Sequence, residues 1–181
     1  MGTVPRAAFV LVLAVVAAGI LVAQDKNAHR VHEQTTFTED GPLQHPVPVS
    51  ADVVKVLMET EEAKEGLAFA NDSERSNAAQ LFRAGEVHLN MSDEVGLVVI
   101  GVGAMSGADN GWFWVVRSAR KNPQVVLFAG GNSLELMGSM MQGYCDIRSL
   151  FSTPSETNDR IYRFDGRHYQ LWKQKSTQNP N

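Results

Sequence analysis

Residues 160–172 read RIYRFDGRHYQLW, and this stretch decides the expected fold of the chain. Asp165-Gly166 lies between two runs in which apolar and polar residues alternate. An Asp-Gly pair in that setting is a strong hairpin signal, because the two turn residues must tolerate a positive φ. We therefore expect the runs Arg160–Phe164 and Arg167–Trp172 to pair as antiparallel strands.

Upstream of this hairpin, short apolar runs with a period of two alternate with turn residues. The expected strands lie at 79–90, 95–100, 111–118, 123–129, 134–137 and 146–151. Short strands joined by tight turns favour an antiparallel meander. The sequence therefore predicts one antiparallel β-meander sheet of about seven or eight short strands.

A short amphipathic helix precedes the strands. Ser50 is a candidate N-cap and Asp52 lies in the first turn. An apolar stripe at helical spacing follows, formed by Val53, Val54, Leu57 and Met58. The helix is expected to end by about Gly66. One N-terminal helix and one sheet together predict a single α+β domain over residues 50–175.

The N-terminal segment predicts export. Arg6 precedes an uncharged apolar run over residues 7–23, which is typical of a secretory signal peptide ending near residue 24. The alternative is an uncleaved anchor, so we expect a periplasmic or extracellular protein, or one held at the membrane by this run. Residues 25–49 lack an apolar period and are expected to form a disordered leader, and residues 176–181 a disordered tail.

Composition excludes several functional classes. The net charge of −4, from 16 Lys+Arg and 20 Asp+Glu, gives no electrostatic footprint for nucleic acid. The single Cys145 cannot form an internal disulfide, and we expect it to be a small buried strand residue. No phosphate-binding loop, zinc-protease motif or nucleophile elbow is present, so no cofactor and no metal are expected.

Three motifs in the second half of the chain resemble those of a known group of proteins. They are residues 107–114 (GADNGWFW) followed by Arg117, residues 143–147 (GYCDI) and residues 161–169 (IYRFDGRHY). In this order they resemble small, mostly uncharacterised secreted bacterial β-domain proteins with a YRFDGxxY-type C-terminal hairpin and an FG-GAP/VCBS-like middle segment. The resemblance covers about residues 78–172 and implies a β fold but no reaction.

The resemblance also implies a calcium loop in the middle segment, which this chain lacks the ligands to form. The corresponding residues are 88–96 (HLNMSDEVG). A calcium loop needs several oxygen ligands at alternate positions, and here Asn90, Ser92 and Glu94 are poor substitutes, while His88 replaces an acid. The sequence therefore departs from the group's pattern at this loop.

Residues able to contact a partner lie in or near the expected strands. The candidates are Trp112, Trp114, Tyr144, Asp146, Arg163 and Tyr169. Trp112 and Trp114 share one face of their strand, and they belong to the core if that strand is covered on both faces. If that face is open, they form an aromatic platform for a glycan.

The favoured interpretation is an exported, non-enzymatic binding domain whose partner is an envelope protein or a cell-wall glycan. A second hypothesis is a hydrolase of envelope polymers that uses Asp146 and His168 as its catalytic pair. A third is a structural envelope protein without a discrete ligand. Membrane contact is expected only if the N-terminal segment remains uncleaved.

Overall fold

Ten β-strands form two antiparallel sheets in the computed structural model, which describes residues 34–92, 94–107 and 110–179. In chain order the strands are β1 (Thr36–Thr38), β2 (Pro46–Val47), β3 (Phe82–Val87), β4 (Gly96–Gly101), β5 (Gly111–Arg117), β6 (Gln124–Gly131), β7 (Ser133–Met141), β8 (Tyr144–Ser152), β9 (Glu156–Phe164) and β10 (Tyr169–Gln178). We call the sheet of order β2-β3-β4-β5-β6 the inner sheet. The outer sheet has the order β1-β7-β8-β9-β10.

The expected C-terminal hairpin is confirmed. β9 and β10 pair antiparallel from Phe164 opposite Tyr169 to Glu156 opposite Gln178. Gly166 in the turn has a φ of +105°, a conformation that side chains with a Cβ rarely adopt. The hairpin therefore forms where Asp165-Gly166 placed it, but its loop spans residues 165–168 instead of two residues, so β10 begins at Tyr169 and not at the expected Arg167.

Three α-helices lie between β2 and β3 in the described part of the chain, where the sequence predicted one. They are α1 (Ala51–Met58), α2 (Glu61–Phe69) and α3 (Asp72–Ser76), and 3₁₀ turns occupy Ala78–Leu81 and Gly103–Met105. Ser50 caps α1 as expected, since its side chain accepts a hydrogen bond from the Val53 amide. The predicted single helix is interrupted at Thr60, whose extended backbone and side chain cap a second helix through the Ala63 amide.

The inner sheet is buried on both faces, and this corrects the prediction of a single sheet. Val98 and Phe113 join a cluster that also contains residues of the outer sheet, while Val99 and Trp114 join a second cluster with residues of α1 and α2. Because side chains alternate between the faces of a strand, the unbroken apolar run of β4 needs cover on both sides. The second sheet and the helices provide that cover, so the fold is mainly β.

Parts of the expected leader and tail belong to strands instead. β1 pairs with β7 and buries Phe37 to 1% exposure, and β2 pairs with β3. β10 extends to Gln178, three residues into the expected tail. β1 and β2 have only three and two residues, and their strand structure depends on pairing with distant strands. No apolar period therefore marks them in the sequence. The expected signal peptide or anchor over 1–24, the rest of the leader up to residue 33, and residues 180–181 lie outside the described residues.

From Gln34 onward the chain forms one compact unit. None of its described helices combines the length and the apolar character that crossing a bilayer requires.

Candidate functional site

The outer sheet has one face directed away from the core. On β8, Cys145 and Ile147 belong to the cluster between the sheets, so Asp146 and Arg148 point to the opposite side. We call this side the open face. It holds a set of polar and aromatic residues from neighbouring strands: Asp146, Arg148, Asp159, Arg163 and Trp172.

Asp146, Arg163 and Trp172 form a ladder across three strands of the open face. The Asp146 carboxylate is 2% exposed, and its Oδ2 accepts hydrogen bonds from Ser139 Oγ at 2.8 Å and Arg163 Nε at 3.2 Å. The Arg163 guanidinium lies 3.4 Å from the centroid of the Trp172 ring. The carboxylate therefore fixes the cation, and the cation fixes the orientation of the indole by a cation–π contact.

Asp146 retains one unused acceptor among the described residues. Its Oδ1 is buried and has no hydrogen-bond partner there. A buried carboxylate in that state depends on the one cation that it contacts. Arg163 is thus required for the stability of Asp146 as well as for the position of Trp172.

Trp172 lies in a β-bulge of β10. Leu171 lies opposite Tyr162 and Lys173 lies opposite Ile161, so Trp172 is the inserted residue without a partner on β9. Bulges commonly redirect a side chain at a sheet edge. Trp172 is 54% exposed and Leu171 is 51% exposed. The two residues form a small exposed apolar patch on a charged hairpin.

A second cross-strand network on the open face joins Glu135, Arg148 and Asp159. Arg148 contacts Asp159 through two hydrogen bonds of 2.9 Å and 2.8 Å and lies 3.5 Å from Glu135. The hydrogen bonds from Arg148 hold the pKa of Asp159 below its usual value, and the positive charges of Lys173 and Lys175 act in the same direction. This network keeps the middle of the open face in a fixed arrangement.

Glu94 lies in the loop that departs from the calcium-loop pattern, and three neighbouring side chains bind its carboxylate. Its carboxylate accepts hydrogen bonds from Ser118 Oγ, from Asn90 Nδ2 at 3.0 Å and from Tyr144 OH at 3.1 Å. The Ser118 bond is the main reason that the pKa of Glu94 lies below its usual value. Glu94 thereby links β8 to the end of β5. Among the described residues, no group of three or more His, Cys, Asp or Glu side chains is placed to hold a metal ion.

The two tryptophans singled out in the sequence lie on the helix side of the inner sheet. Trp114 is fully buried, and its Nε1 donates to Thr60 Oγ1 at 3.3 Å. Trp112 is partly buried and makes edge contacts with Trp114 and Phe128. Both therefore pack in the cluster beneath α1 and α2 and contribute nothing to the open face.

The two candidate tyrosines are also engaged in packing. Tyr169 is 5% exposed, donates to the Cys145 carbonyl at 3.0 Å, and has its pKa raised far above the usual range by burial. The Tyr144 ring stacks on Phe164 at 4.1 Å. Of the six candidate contact residues, the structure brings only Asp146 and Arg163 together on the open face.

The structure does not join Asp146 and His168, the pair required by the hydrolase hypothesis. His168 is an exposed turn residue whose backbone amide donates to Asp165 Oδ1 at 2.9 Å. The hydrogen bonds and ion pair of Asp146 in the described part of the chain go to Ser139 and Arg163. In the described part of the chain no hydrogen bond joins Asp146 to His168, so this carboxylate does not orient the imidazole as it would in an Asp–His dyad.

A shallow groove of about 420 Å³ lies beside β2, the edge strand of the inner sheet. It is lined by Leu43, Pro46, Val47, Arg83 and Ala84. The Arg83 guanidinium donates to the carbonyls of Glu39 at 3.2 Å and Gly41 at 2.8 Å. These bonds hold the connection between β1 and β2 against β3, which gives Arg83 a structural role.

Trp172 is the surface residue that sequence reasoning missed. The alternation of Tyr169, Leu171 and Lys173 predicts a strand, and it places Trp172 on the polar face with Gln170. A lone tryptophan on a polar strand face is a signal for a contact residue. The β-bulge at Trp172 cannot be read from the sequence.

No protein-family model matches this chain, and neither the curated proteins nor the solved structures that were searched contain a match. The resemblance to secreted bacterial β-domain proteins therefore stays a prediction.

Proposed function

We propose that this protein is an exported, non-enzymatic binding domain that recognises a protein partner through the open face and the adjoining strand β10. The observation that carries the proposal is Trp172, which is half exposed yet held under the Arg163 guanidinium at 3.4 Å. Tryptophan and arginine are the residues most often found at binding hot spots. An indole that is already oriented loses little conformational entropy on binding.

A protein partner fits this surface better than a glycan. One side of the Trp172 indole carries Arg163, which reduces the area on which a sugar ring can stack. Leu171 adds exposed apolar surface next to the indole. Among the described strands, β10 pairs only with β9, so in that part of the chain its other edge offers backbone groups that a protein segment can use.

The non-enzymatic part of the proposal is supported by the contacts of Asp146. Its carboxylate is buried and neutralised by Arg163, which makes it an anchor for the indole instead of a group that exchanges protons with a substrate. The exported location rests on the apolar run over residues 7–23.

Site-specific photo-crosslinking of the full chain in its native host tests this function. A photoreactive phenylalanine analogue replaces Leu171, beside the indole, and in a matched control it replaces Phe69, which is 80% exposed and lies at the end of α2. We expect a discrete protein adduct from position 171 that disappears when Trp172→Ala is added. The same adducts from position 69, or an adduct that survives Trp172→Ala, would contradict the proposal.

A further inference from the structure

We infer that the partner segment is an acidic, extended peptide that adds to the free edge of β10 as a further strand. The inference rests on the proposed function and specifies the chemistry of its partner. Three features support it: the geometry of the β10 edge, the charge of the β9–β10 hairpin, and residues that disfavour a second copy of the chain or a bilayer at this edge.

The second half of β10 is a regular and well-anchored edge. After the bulge, the register with β9 runs without interruption from Lys173 to Gln178. At six residues this edge is roughly 20 Å long, since a strand rises about 3.4 Å per residue. Asn179 fixes its end, because its backbone amide donates to the Ser155 carbonyl at 2.9 Å and its side chain to the Thr153 carbonyl at 2.8 Å. No described strand pairs with this edge, which therefore presents backbone groups in a fixed geometry.

The hairpin is basic although the whole chain is acidic. Residues 156–178 contain five Lys and Arg against three Asp and Glu, a net charge of +2, while the chain carries −4. Asp159 lies opposite Lys175 but accepts two hydrogen bonds from Arg148, and no described carboxylate forms a hydrogen bond or ion pair with Lys173 or Lys175. The two lysines occupy alternate positions of one strand and therefore share a face. Acidic residues at alternate positions of an added strand would lie opposite them, and such cross-strand pairs are favourable.

The same lysines discourage a second copy of this chain. Antiparallel pairing of two β10 edges centred on Gln174 would bring Lys173 of one copy against Lys175 of the other. Directly opposed like charges destabilise a strand pair. Lysines on an edge strand are a known means of preventing self-association, and they remain compatible with an acidic partner.

A basic surface with an exposed tryptophan also has chemistry that suits an anionic bilayer. The row of backbone groups on β10 favours a peptide, because a bilayer cannot form hydrogen bonds in a strand register. The apolar surface at Leu171 and Trp172 is also narrow, and charged Arg163 and Lys173 adjoin it. Interfacial membrane binding normally needs a broader apolar face.

Binding of defined peptides to the full chain tests the inference. The probes are a short peptide in which Glu alternates with Val and Thr, its counterpart with Lys in place of Glu, and a Glu peptide with N-methylated backbone amides. We expect the Glu peptide to bind and to protect amides of Lys173–Gln178 from hydrogen exchange. The Lys peptide and the N-methylated peptide should each bind at least about tenfold more weakly, a difference of about 1.4 kcal/mol.

Charge reversal of the edge provides the matched control. In the Lys173→Glu/Lys175→Glu variant, the preference should invert, with the Lys peptide now bound more tightly. Equal binding of both peptides, no binding of the Glu peptide, unchanged amide exchange on β10, or binding only to vesicles of phosphatidylcholine with phosphatidylglycerol would each overturn the inference.

The native partner separates failure of the inference from failure of the proposed function. If the adduct from position 171 still depends on Trp172 but forms normally in the double charge-reversal variant, the acidic strand is wrong and the binding function stands. Loss of the adduct in that variant supports both. If Trp172→Ala leaves the adduct unchanged, the proposed function itself fails.

Discussion

The inner and outer sheets are built from the same kind of antiparallel strand but differ in how many faces they bury. In the inner sheet, β4 is buried at every position, between the helices on one side and the outer sheet on the other. In the outer sheet, β10 is exposed at every position after Tyr169. Core packing therefore explains why the residues of the inner sheet are apolar. It does not explain the residue types on the open face of the outer sheet.

This difference separates stability from function within one fold. A residue of the inner sheet contributes through buried area, so its replacement lowers the free energy of unfolding. An exposed residue of the open face that holds no buried charge contributes through orientation and charge, and its replacement should change binding with little loss of stability. The following variants test that division, in order of decreasing effect on stability.

Trp114→Ala should have the largest effect, because it removes a fully buried indole from the helix side of the inner sheet. We expect the free energy of unfolding to fall by about 3–5 kcal/mol, from the lost burial and the cavity left behind. Loss of the hydrogen bond to Thr60 adds to this. Urea unfolding followed by circular dichroism measures it. A loss below about 1 kcal/mol would mean that the helices do not pack on this face.

Arg163→Ala should destabilise the protein although Arg163 lies on the open face. Arg163 is the one described cation that contacts the buried Asp146 carboxylate, and without it Ser139 is the remaining described partner. An uncompensated buried charge typically costs several kcal/mol, and we expect about 3 kcal/mol. The control is Arg160→Ala on the same strand, which should change stability by less than about 0.5 kcal/mol. Equal effects of the two variants would contradict the ladder.

Glu94→Gln should alter the pH dependence of stability. Because hydrogen bonds lower the folded-state pKa of Glu94, its carboxylate stabilises the fold above the unfolded value of 4.5, and this contribution disappears as the pH falls through the lower folded pKa. We expect the variant to lose about 1 kcal/mol at pH 7, a modest amount because the group is partly solvated. The difference from the unaltered protein should shrink below pH 4.5. Urea unfolding at several pH values measures this, with exposed Glu65→Gln as the control.

Local signals in the sequence were sufficient for some elements. Asp165-Gly166 and its flanking alternation predicted the β9–β10 hairpin, and Ser50 predicted the start of α1. In these cases the residues that interact lie within a few positions of one another. The mainly antiparallel strand content followed from the same period of two.

The division into two sheets depends on contacts between distant residues. β1 lies beside β7, about a hundred positions away, and no local pattern encodes that pairing. The unbroken apolar run of β4 indicated a strand buried on both faces, but not which elements would cover it. For the candidate site, the sequence identified Asp146 and Arg163 as candidate contact residues. The bulge at Trp172 arises from the register of two strands, and neither strand alone indicates it.

Trp172→Ala should have the smallest effect on stability and the largest on binding. The indole is 54% exposed, so its removal costs little buried area and one cation–π contact with Arg163. We expect a loss of unfolding free energy of at most about 1 kcal/mol, against 3–5 kcal/mol for the buried tryptophan of β5. The adduct formed from position 171 should nevertheless disappear. Urea unfolding and crosslinking of the same preparation measure both effects. A variant that loses stability as much as Trp114→Ala would place Trp172 among the structural residues, and the two sheets would then not divide stability from function.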